Sequence, residues 1–569
     1  MKTPLNEYQQ KFLKTDLLII GGGTAGCYAA ITAARKDPSL RILVIEKANV
    51  QRSGCLAAGV NALNAYINPG HTVEEFLEYV RGDAAKIIRD DLVLSIARRF
   101  NSVVADLEKM GLVILKDQDG AYVSRGKRNI KINGENIKPL LANEARRYEN
   151  ITVINHVNVT DLLTDGDGKV RGAVGFSVNF GTAFAISARA VLIATGGAAG
   201  LYRPNNPGFS RHKTWYPPFN TGAGYAMGIR AGAEMTTFEM RFVAQRIKDT
   251  IAPTGTIALG VGTHEINSLG EAYAARYGKS TSGRAYGATN EAHEGRGPCY
   301  LKTEGISAEA EENLLKAYLN MAPAQTLKWI ESGELPSKFN VQIEGTEPYI
   351  VGGHTGSGYW VDSGRRTTLV GLYAAGDVVG GSPKKFVTGA LAEGQIAAET
   401  ILGDLENLPA PTEELVIRRS AISFAAYVQL LASVDEALYS VDQLEEAMQK
   451  TMDNYAGGIS TGYRYNAKQL LIADEHIRIV EDLVKSARVA DADDMLRLYE
   501  LTDRLTVCKS VIAHLRARAE TRWPGFGFNT DHPDVDPDGE YYVNSRLVDG
   551  KLEIIRRELV KEEKYEHSC

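Results

Sequence analysis

The chain has 569 residues, of which 44% are apolar and 24% are charged, and its formal net charge is −6. This composition excludes a disordered or fibrous protein, and the small acidic excess argues against nucleic acid as the main partner. Five cysteines in a chain of this length exclude a disulfide framework. The polar N-terminus lacks the apolar core of a secretory signal, so we expect a cytoplasmic protein with reduced thiols and no direct membrane insertion.

The first predicted elements form a βαβ unit around a glycine-rich turn. The apolar run at 16–20 predicts a buried parallel strand, the alanine-rich stretch 27–35 predicts a helix, and 41–46 predicts the next strand. The G-x-G-x-x-G turn between them contains Gly21, Gly23, Thr24, Ala25 and Gly26. Glu46 closes the unit, where its carboxylate can accept a hydrogen bond from a ribose hydroxyl. The unit therefore predicts a dinucleotide site.

Two later strands also run directly into glycine. The apolar run 190–194 is followed by Thr195 and Gly196, and 369–375 is followed by Gly376 and Asp377. Glycines at these places mark the carboxyl edge of a doubly wound sheet, where such sheets bind ligands. One ligand touched by three such turns is long and extended, which favours FAD over NAD. No second complete G-x-G-x-x-G motif follows, so we expect electrons to come from another protein.

The rest of the pattern predicts the domain organisation. We predict an α/β fold with a doubly wound FAD-binding domain, an inserted α+β capping domain and a C-terminal helical domain. The FAD-binding domain is predicted at 1–235 and 346–410, and the capping domain, rich in Gly, Thr and Ser loops, at 236–345. Apolar residues at helical spacing predict the helical domain at 411–525, and alternating residues predict a hairpin in the tail at 526–569.

Taken together, these motifs resemble the fumarate reductase/succinate dehydrogenase flavoprotein superfamily. Longer stretches resemble the flavoprotein (alpha) subunit of adenylylsulfate reductases, among them GVNALNAY (59–66), GAEMTTFEMRFVAQRIKD (232–249), EPYIVGGH (347–354) and GGSPKKF (380–386). The resemblance adds Lys47, Ser53 and Gly54 to the cofactor site. Gly54 stands where the fumarate and succinate enzymes carry a histidine bound to flavin, so noncovalent FAD is implied.

The resemblance implies reduction of adenylylsulfate to sulfite and AMP through a sulfite adduct at flavin N5. A ferredoxin-like iron–sulfur beta subunit would deliver the electrons, because the five cysteines of this chain show no C-x₂-C pattern. Two alternatives stay open on the same scaffold, namely a 3′-phosphoadenylylsulfate reductase and a fumarate reductase-like flavoprotein for another small anion. An electron-transfer subunit without chemistry of its own is a third.

Site residues follow from the same resemblance, position by position. The implied catalytic residues are Arg246, Lys384, Asn64 and His354, and the implied substrate-binding residues are Arg284, Trp215, Phe242, Glu135 and Leu259. Lys384 departs from the histidine of the dissimilatory enzymes. It either replaces that histidine as the cation beside sulfite, or its full charge meets an additional phosphate on the substrate.

Overall fold

The computed structural model describes residues 9–179, 181–205, 214–250, 262–278, 280–432 and 439–561. Within these ranges no helix combines the length and the apolar character that crossing a membrane requires. The helices are α1 (Thr24–Lys36), α2 (Val73–Asp83), α3 (Asp90–Ala97), α4 (Phe100–Met110), α5 (Ile137–Ala145), α6 (Ala223–Arg230), α7 (Ala274–Tyr277), α8 (Thr281–His293), α9 (Ala308–Met321), α10 (Pro323–Ser332), α11 (Phe386–Asp404), α12 (Glu413–Ala432), α13 (Val441–Tyr455), α14 (Ala467–Leu483) and α15 (Ala492–Ala517).

The strands are β1 (Gln9–Ile20), β2 (Ile42–Ile45), β3 (Ala62–Leu63), β4 (Val113–Ile114), β5 (Ile130–Asn133), β6 (Ile151–Ile154), β7 (Val157–Thr164), β8 (Val170–Ser177), β9 (Thr182–Ile193), β10 (Met235–Thr236), β11 (Gln245–Ile247), β12 (Glu265–Ile266), β13 (Cys299–Leu301), β14 (Val341–Gly345), β15 (Gly358–Tyr359), β16 (Leu372–Ala374), β17 (Tyr439–Ser440), β18 (Arg464–Tyr465), β19 (Ala487–Arg488), β20 (Phe528–Asn529), β21 (Tyr541–Val548) and β22 (Lys551–Glu558).

A seven-stranded sheet lies at the centre of the molecule. Its order is β6-β2-β1-β9-β8-β7, and β16 pairs with the end of β9. The β1, β2, β6, β9 and β16 pairings are parallel, and β7 and β8 join antiparallel. Along β1, Leu17 and Ile19 face a core that includes α1 and α11, whereas Leu18 and Ile20 face a core shared with α12–α15. Because successive side chains of a strand point to opposite faces of the sheet, these two cores lie on opposite faces. Helices therefore cover both faces of the central sheet.

A smaller α+β unit is inserted between β10 and β15. Its antiparallel sheet has the order β11-β14-β13-β12, and α8, α9 and α10 accompany it. Tyr318, Trp329 and Ile343 belong to its own hydrophobic core, which is separate from the two cores of the central sheet. The predicted fold class is therefore confirmed, with an inserted capping unit and a helical unit after α11. The predicted domain bounds stay a prediction.

After the helical unit, the chain returns to the sheet that contains β10. The antiparallel pair β21–β22 continues a sheet in which β21 also pairs with β10. His514 of α15 links the same region, because its Nε2 lies 2.8 Å from Ser545 Oγ and its Nδ1 lies 3.1 Å from Glu239 Oε2. These buried contacts fix the chain around residues 237–246, which leads into the capping unit.

Candidate functional site

The first glycine turn brings the backbone of β1 and α1 unusually close together. Gly21 has φ +102°, and a Cβ there would lie 2.5 Å from the carbonyl oxygen of Ala194. A Cβ at Gly26 would lie 2.0 Å from the carbonyl oxygen of Gly21. Helix α1 begins at Thr24 with no side-chain cap, so its first N–H groups stay available to an anion. The turn has the geometry of a diphosphate site.

Glu46 and Lys47 extend this turn toward the other parts of the fold. Glu46 accepts from the N–H of Gly22 (2.9 Å) and the hydroxyl of Ser53 (3.0 Å) through one carboxylate oxygen. Lys47 donates to the carbonyl oxygen of Phe219 (2.6 Å) and to Glu500 (2.7 Å). These contacts hold the end of β2 against both the glycine turn and the helical unit.

The two later glycine turns, which contain Gly196 and Gly376, lie beside the first glycine turn. Gly196 (φ +77°) and Gly376 (φ +82°) both need the left-handed backbone. The hydroxyl of Tyr216 donates to Asp377 (2.9 Å) and accepts from the N–H of Gly197 (2.9 Å), which connects the two turns. Burial raises the pKa of Asp377.

All three turns line one cavity of about 830 Å³. Of the predicted cofactor residues, it is lined by Gly21, Gly23, Thr24, Ala25, Glu46, Lys47, Gly54, Thr195, Gly196, Gly376 and Asp377. Three polar atoms of the lining, Oδ1 of Asn64, Oγ1 of Thr195 and Oγ1 of Thr221, are buried without a hydrogen-bond partner among the described residues. A cavity of this volume that is lined by three glycine turns and by unsatisfied polar atoms fits FAD. Gly26 and Ser53 lie behind the lining and shape the turn.

The same cavity contains most of the predicted substrate groups. Asn64, Trp215, Phe242, Arg284, His354 and Lys384 line it. The His354 ring stacks on Phe242 with centroids 4.5 Å apart and meets Trp215 edge-on at 5.2 Å. An apolar wall therefore lies beside cationic groups, which is an arrangement that strengthens electrostatic contacts to a bound anion.

Lys384 lies in a strained segment. It has φ +61°, and Phe386 has φ +49°, although neither is a glycine. Such strain clusters at functional sites. The buried ammonium of Lys384 forms an ion pair with Asp83 at 2.9 Å, so an acid at the end of α2 positions it.

His354 is neutral in the folded protein. Burial, and then the charge of Lys384, lowers its pKa to about 3. Of the implied catalytic residues, His354 can therefore act near pH 7 only as a neutral hydrogen-bonding group, and not as an acid or a cation.

This pKa has a measurable consequence for stability. An unfolded histidine takes up a proton near pH 6.5, whereas the folded imidazole of His354 stays neutral down to about pH 3. Stability therefore falls as the pH drops below about 6.5. Between pH 7 and 5.5 we expect wild type to lose about 1 kcal/mol more than His354→Gln. Urea unfolding of both proteins at the two pH values measures this difference, and an equal loss in both would contradict the prediction.

Three predicted site residues do not reach the cavity lining or cannot be placed. Arg246 is buried, and its guanidinium pairs with Glu344 (2.6 Å) and donates to Asn205 (2.9 Å). Glu135 is exposed outside the lining, and Leu259 lies outside the described residues. In β11, Gln245 lines the cavity instead of Arg246, because successive side chains of a strand point to opposite faces.

Several lining residues were missed by the sequence analysis. They include Tyr79, Arg125, Lys127, Arg128, Asn129, Asn158, Tyr216, Asn220 and Gln245. The segment 125–128 has three cations in four residues, a charge pattern that could have drawn attention to it. The others carry no signal in the sequence, because tertiary contacts alone bring them to the cavity.

Comparison with known proteins agrees with this geometry. The chain matches the FAD binding domain family over residues 16–389, and it therefore belongs to this family of flavoproteins, with FAD as its cofactor. The structure of adenylylsulfate reductase from Archaeoglobus fulgidus superposes with a TM-score of 0.91 at 32% identity, over 98% of this chain and 97% of that one. The chain is thus an FAD-dependent oxidoreductase of the adenylylsulfate reductase type, within the fumarate reductase/succinate dehydrogenase flavoprotein superfamily.

Two further relatives bear on the chemistry. The adenylylsulfate reductase subunit alpha of Megalodesulfovibrio gigas is 29% identical, over 95% of this chain and 94% of the relative. A structure of adenosine-5-phosphosulfate reductase in complex with sulfite, as a covalent adduct, matches with a TM-score of 0.91 at 32% identity, over 98% of this chain and 97% of that one. The predicted family and cofactor are confirmed.

Proposed function

We propose that this chain reduces adenylylsulfate to sulfite and AMP. The observation that carries the proposal is the cavity in which Asn64, His354 and Lys384 adjoin the three glycine turns. The relatives named as adenylylsulfate reductases support it. FAD, once reduced by the electron donor, would supply the two electrons that convert the sulfo group to sulfite, and the proposal includes the sulfite adduct at flavin N5 that the resemblance implies.

The chain's own residues account for binding and orientation. Lys384 donates hydrogen bonds to the sulfo oxygens, and its pairing with Asp83 fixes the ammonium in place before substrate binds. The amide of Asn64, whose oxygen has no partner among the described residues, orients the same group. The aromatic rings of Trp215 and Phe242 exclude water from it. Arg284 is the candidate for the nucleotide phosphate.

We further propose that a ferredoxin-like iron–sulfur subunit donates the electrons. Two observations support a partner. The relative from M. gigas is named a subunit alpha, and the cysteines of this chain lie far apart in sequence without a cluster motif.

A sulfite titration of the oxidised holoprotein, followed by absorbance, tests the proposed reaction. We expect the visible flavin band to bleach and AMP to modulate the bleaching. A chain that holds FAD but does not bleach contradicts the proposal and favours a fumarate reductase-like flavoprotein. Arg246 stays a prediction from the resemblance. Loss of bleaching in Arg246→Ala would mean that its guanidinium reaches the sulfo group despite the pairing with Glu344.

A further inference from the structure

We propose that the turn at residues 125–129 binds a phosphate monoester on the ribose of the nucleotide, so that the site accepts 3′-phosphoadenylylsulfate besides adenylylsulfate and binds the phosphorylated nucleotide more tightly. This inference rests on the proposed function and specifies its substrate. The turn contributes Arg125, Lys127 and Arg128 to the same cavity wall. We call it the basic turn.

Within the part of the chain that the structure describes, no ion pair joins Arg125, Lys127 or Arg128 to an acid. Among the described residues, Arg125 has one hydrogen bond through its side chain, to Asn61 Oδ1 at 3.4 Å. Burial alone lowers the pKa of Arg125, as expected for a half-buried guanidinium that no carboxylate compensates. An anion bound there would relieve this desolvation penalty.

The basic turn is also held in place before any ligand binds. The N–H of Arg125 donates to the carbonyl oxygen of Asn129 (2.9 Å), and the buried amide of Asn68 donates to that of Gly126 (3.0 Å). The Arg128 guanidinium lies 3.8 Å from the centroid of the Tyr79 ring. Because the backbone of the turn is held and the Arg128 guanidinium rests on the Tyr79 ring, fewer groups must be ordered when a phosphate binds.

The charge of the whole lining agrees with a polyanionic ligand. Lys384 is paired with Asp83, and Lys47 is paired with Glu500. Neither lysine therefore adds uncompensated positive charge to the lining. The other lining cations are Arg125, Lys127, Arg128 and Arg284, and the lining acids are Glu46, Glu265 and Asp377. Outside the two ion pairs, the lining therefore holds four cations and three acids. A phosphate monoester adds about −1.5 to −2 charge near pH 7, which the basic turn can meet.

The additional phosphate of the substrate was first associated with Lys384. Because Asp83 compensates that ammonium, the structure transfers this role to the basic turn. Lys384 then binds the sulfo group, and the basic turn binds the ribose phosphate at a second place in the same cavity.

Calorimetric titration of the holoprotein with 5′-AMP and with adenosine 3′,5′-bisphosphate tests the inference. We expect wild type to bind the bisphosphate about 10- to 100-fold more tightly, the range that one or two charge-assisted hydrogen bonds provide. Arg125→Ala and Arg128→Ala should each weaken bisphosphate binding about tenfold and 5′-AMP binding less than about threefold. Lys131→Ala is the matched control, because Lys131 is exposed on β5, outside the cavity lining.

Equal affinity of wild type for the two nucleotides would overturn the inference and leave the proposed function intact, since 5′-AMP would still bind. A preference for the bisphosphate that survives in both arginine variants would also overturn the assignment to the basic turn. If neither nucleotide binds and sulfite does not bleach the flavin, the proposed function itself fails. The comparison in wild type needs no variant, so a folding defect in a variant does not remove the test.

Discussion

Replacing Lys384 by methionine should abolish sulfite binding in the accessible concentration range and lower kcat/KM by about 100-fold or more. A preorganised donor aimed at developing negative charge contributes roughly 3–4 kcal/mol to catalysis. Lys384 is buried, lines the cavity and is oriented by Asp83 at 2.9 Å. Methionine retains most of the length of the side chain and removes the charge. Absorbance titration with sulfite and turnover with reduced viologen as electron donor measure both effects.

Two further variants distinguish charge loss from misfolding. Lys384→Met combined with Asp83→Asn removes both charges of the pair, so any loss that remains belongs to the missing cation. Lys384→His introduces the residue that the dissimilatory enzymes carry and should restore part of the sulfite affinity below about pH 6.5. Unchanged bleaching in Lys384→Met would remove Lys384 from the proposed mechanism.

Gly26→Ala should yield protein with at least about tenfold less bound FAD. A Cβ at this position would lie 2.0 Å from the carbonyl oxygen of Gly21. Because that atom belongs to the backbone, the turn and α1 must separate, and the close approach to the diphosphate is lost. The ratio of flavin to protein absorbance after purification measures the bound FAD.

Gly403→Ala is the matched control for this substitution. Gly403 lies near the end of α11, and a Cβ there meets no atom within 4 Å. Alanine is also the better helix former by about 1 kcal/mol, so this variant should retain full FAD and wild-type or higher stability. Full FAD occupancy in Gly26→Ala would show that the turn relaxes without loss of the diphosphate site.

Local patterns were enough to predict the cofactor half of the site. Each glycine turn follows a short apolar strand, and parallel strands place their carboxyl ends at one edge of the sheet. Turns near residues 21, 196 and 376 therefore meet although they are far apart in sequence. The fold class followed from the same strand-and-turn pattern.

The substrate half was predictable only in part, because it depends on single side-chain directions. Gln245 and Arg246 are neighbours on β11, and the side-chain alternation of a strand decides which of them lines the cavity. The pairing of Lys384 with Asp83 joins residues about 300 positions apart, and no local pattern shows it. The charge state of His354 depends on burial that the sequence does not display.

The cavity lining extends along the chain from Ile20 to Ala390, and Lys47 is held by Glu500 of α15. A ribosome adds roughly 5–20 residues per second. The diphosphate turn therefore exists for tens of seconds before β16 and α11 can complete the wall around it. During synthesis, FAD can at first contact only the part of its site around the diphosphate turn. Stable binding of FAD requires β16 and α11, which are synthesised later. Truncation anywhere before α11 should leave a nascent chain that cannot keep its flavin.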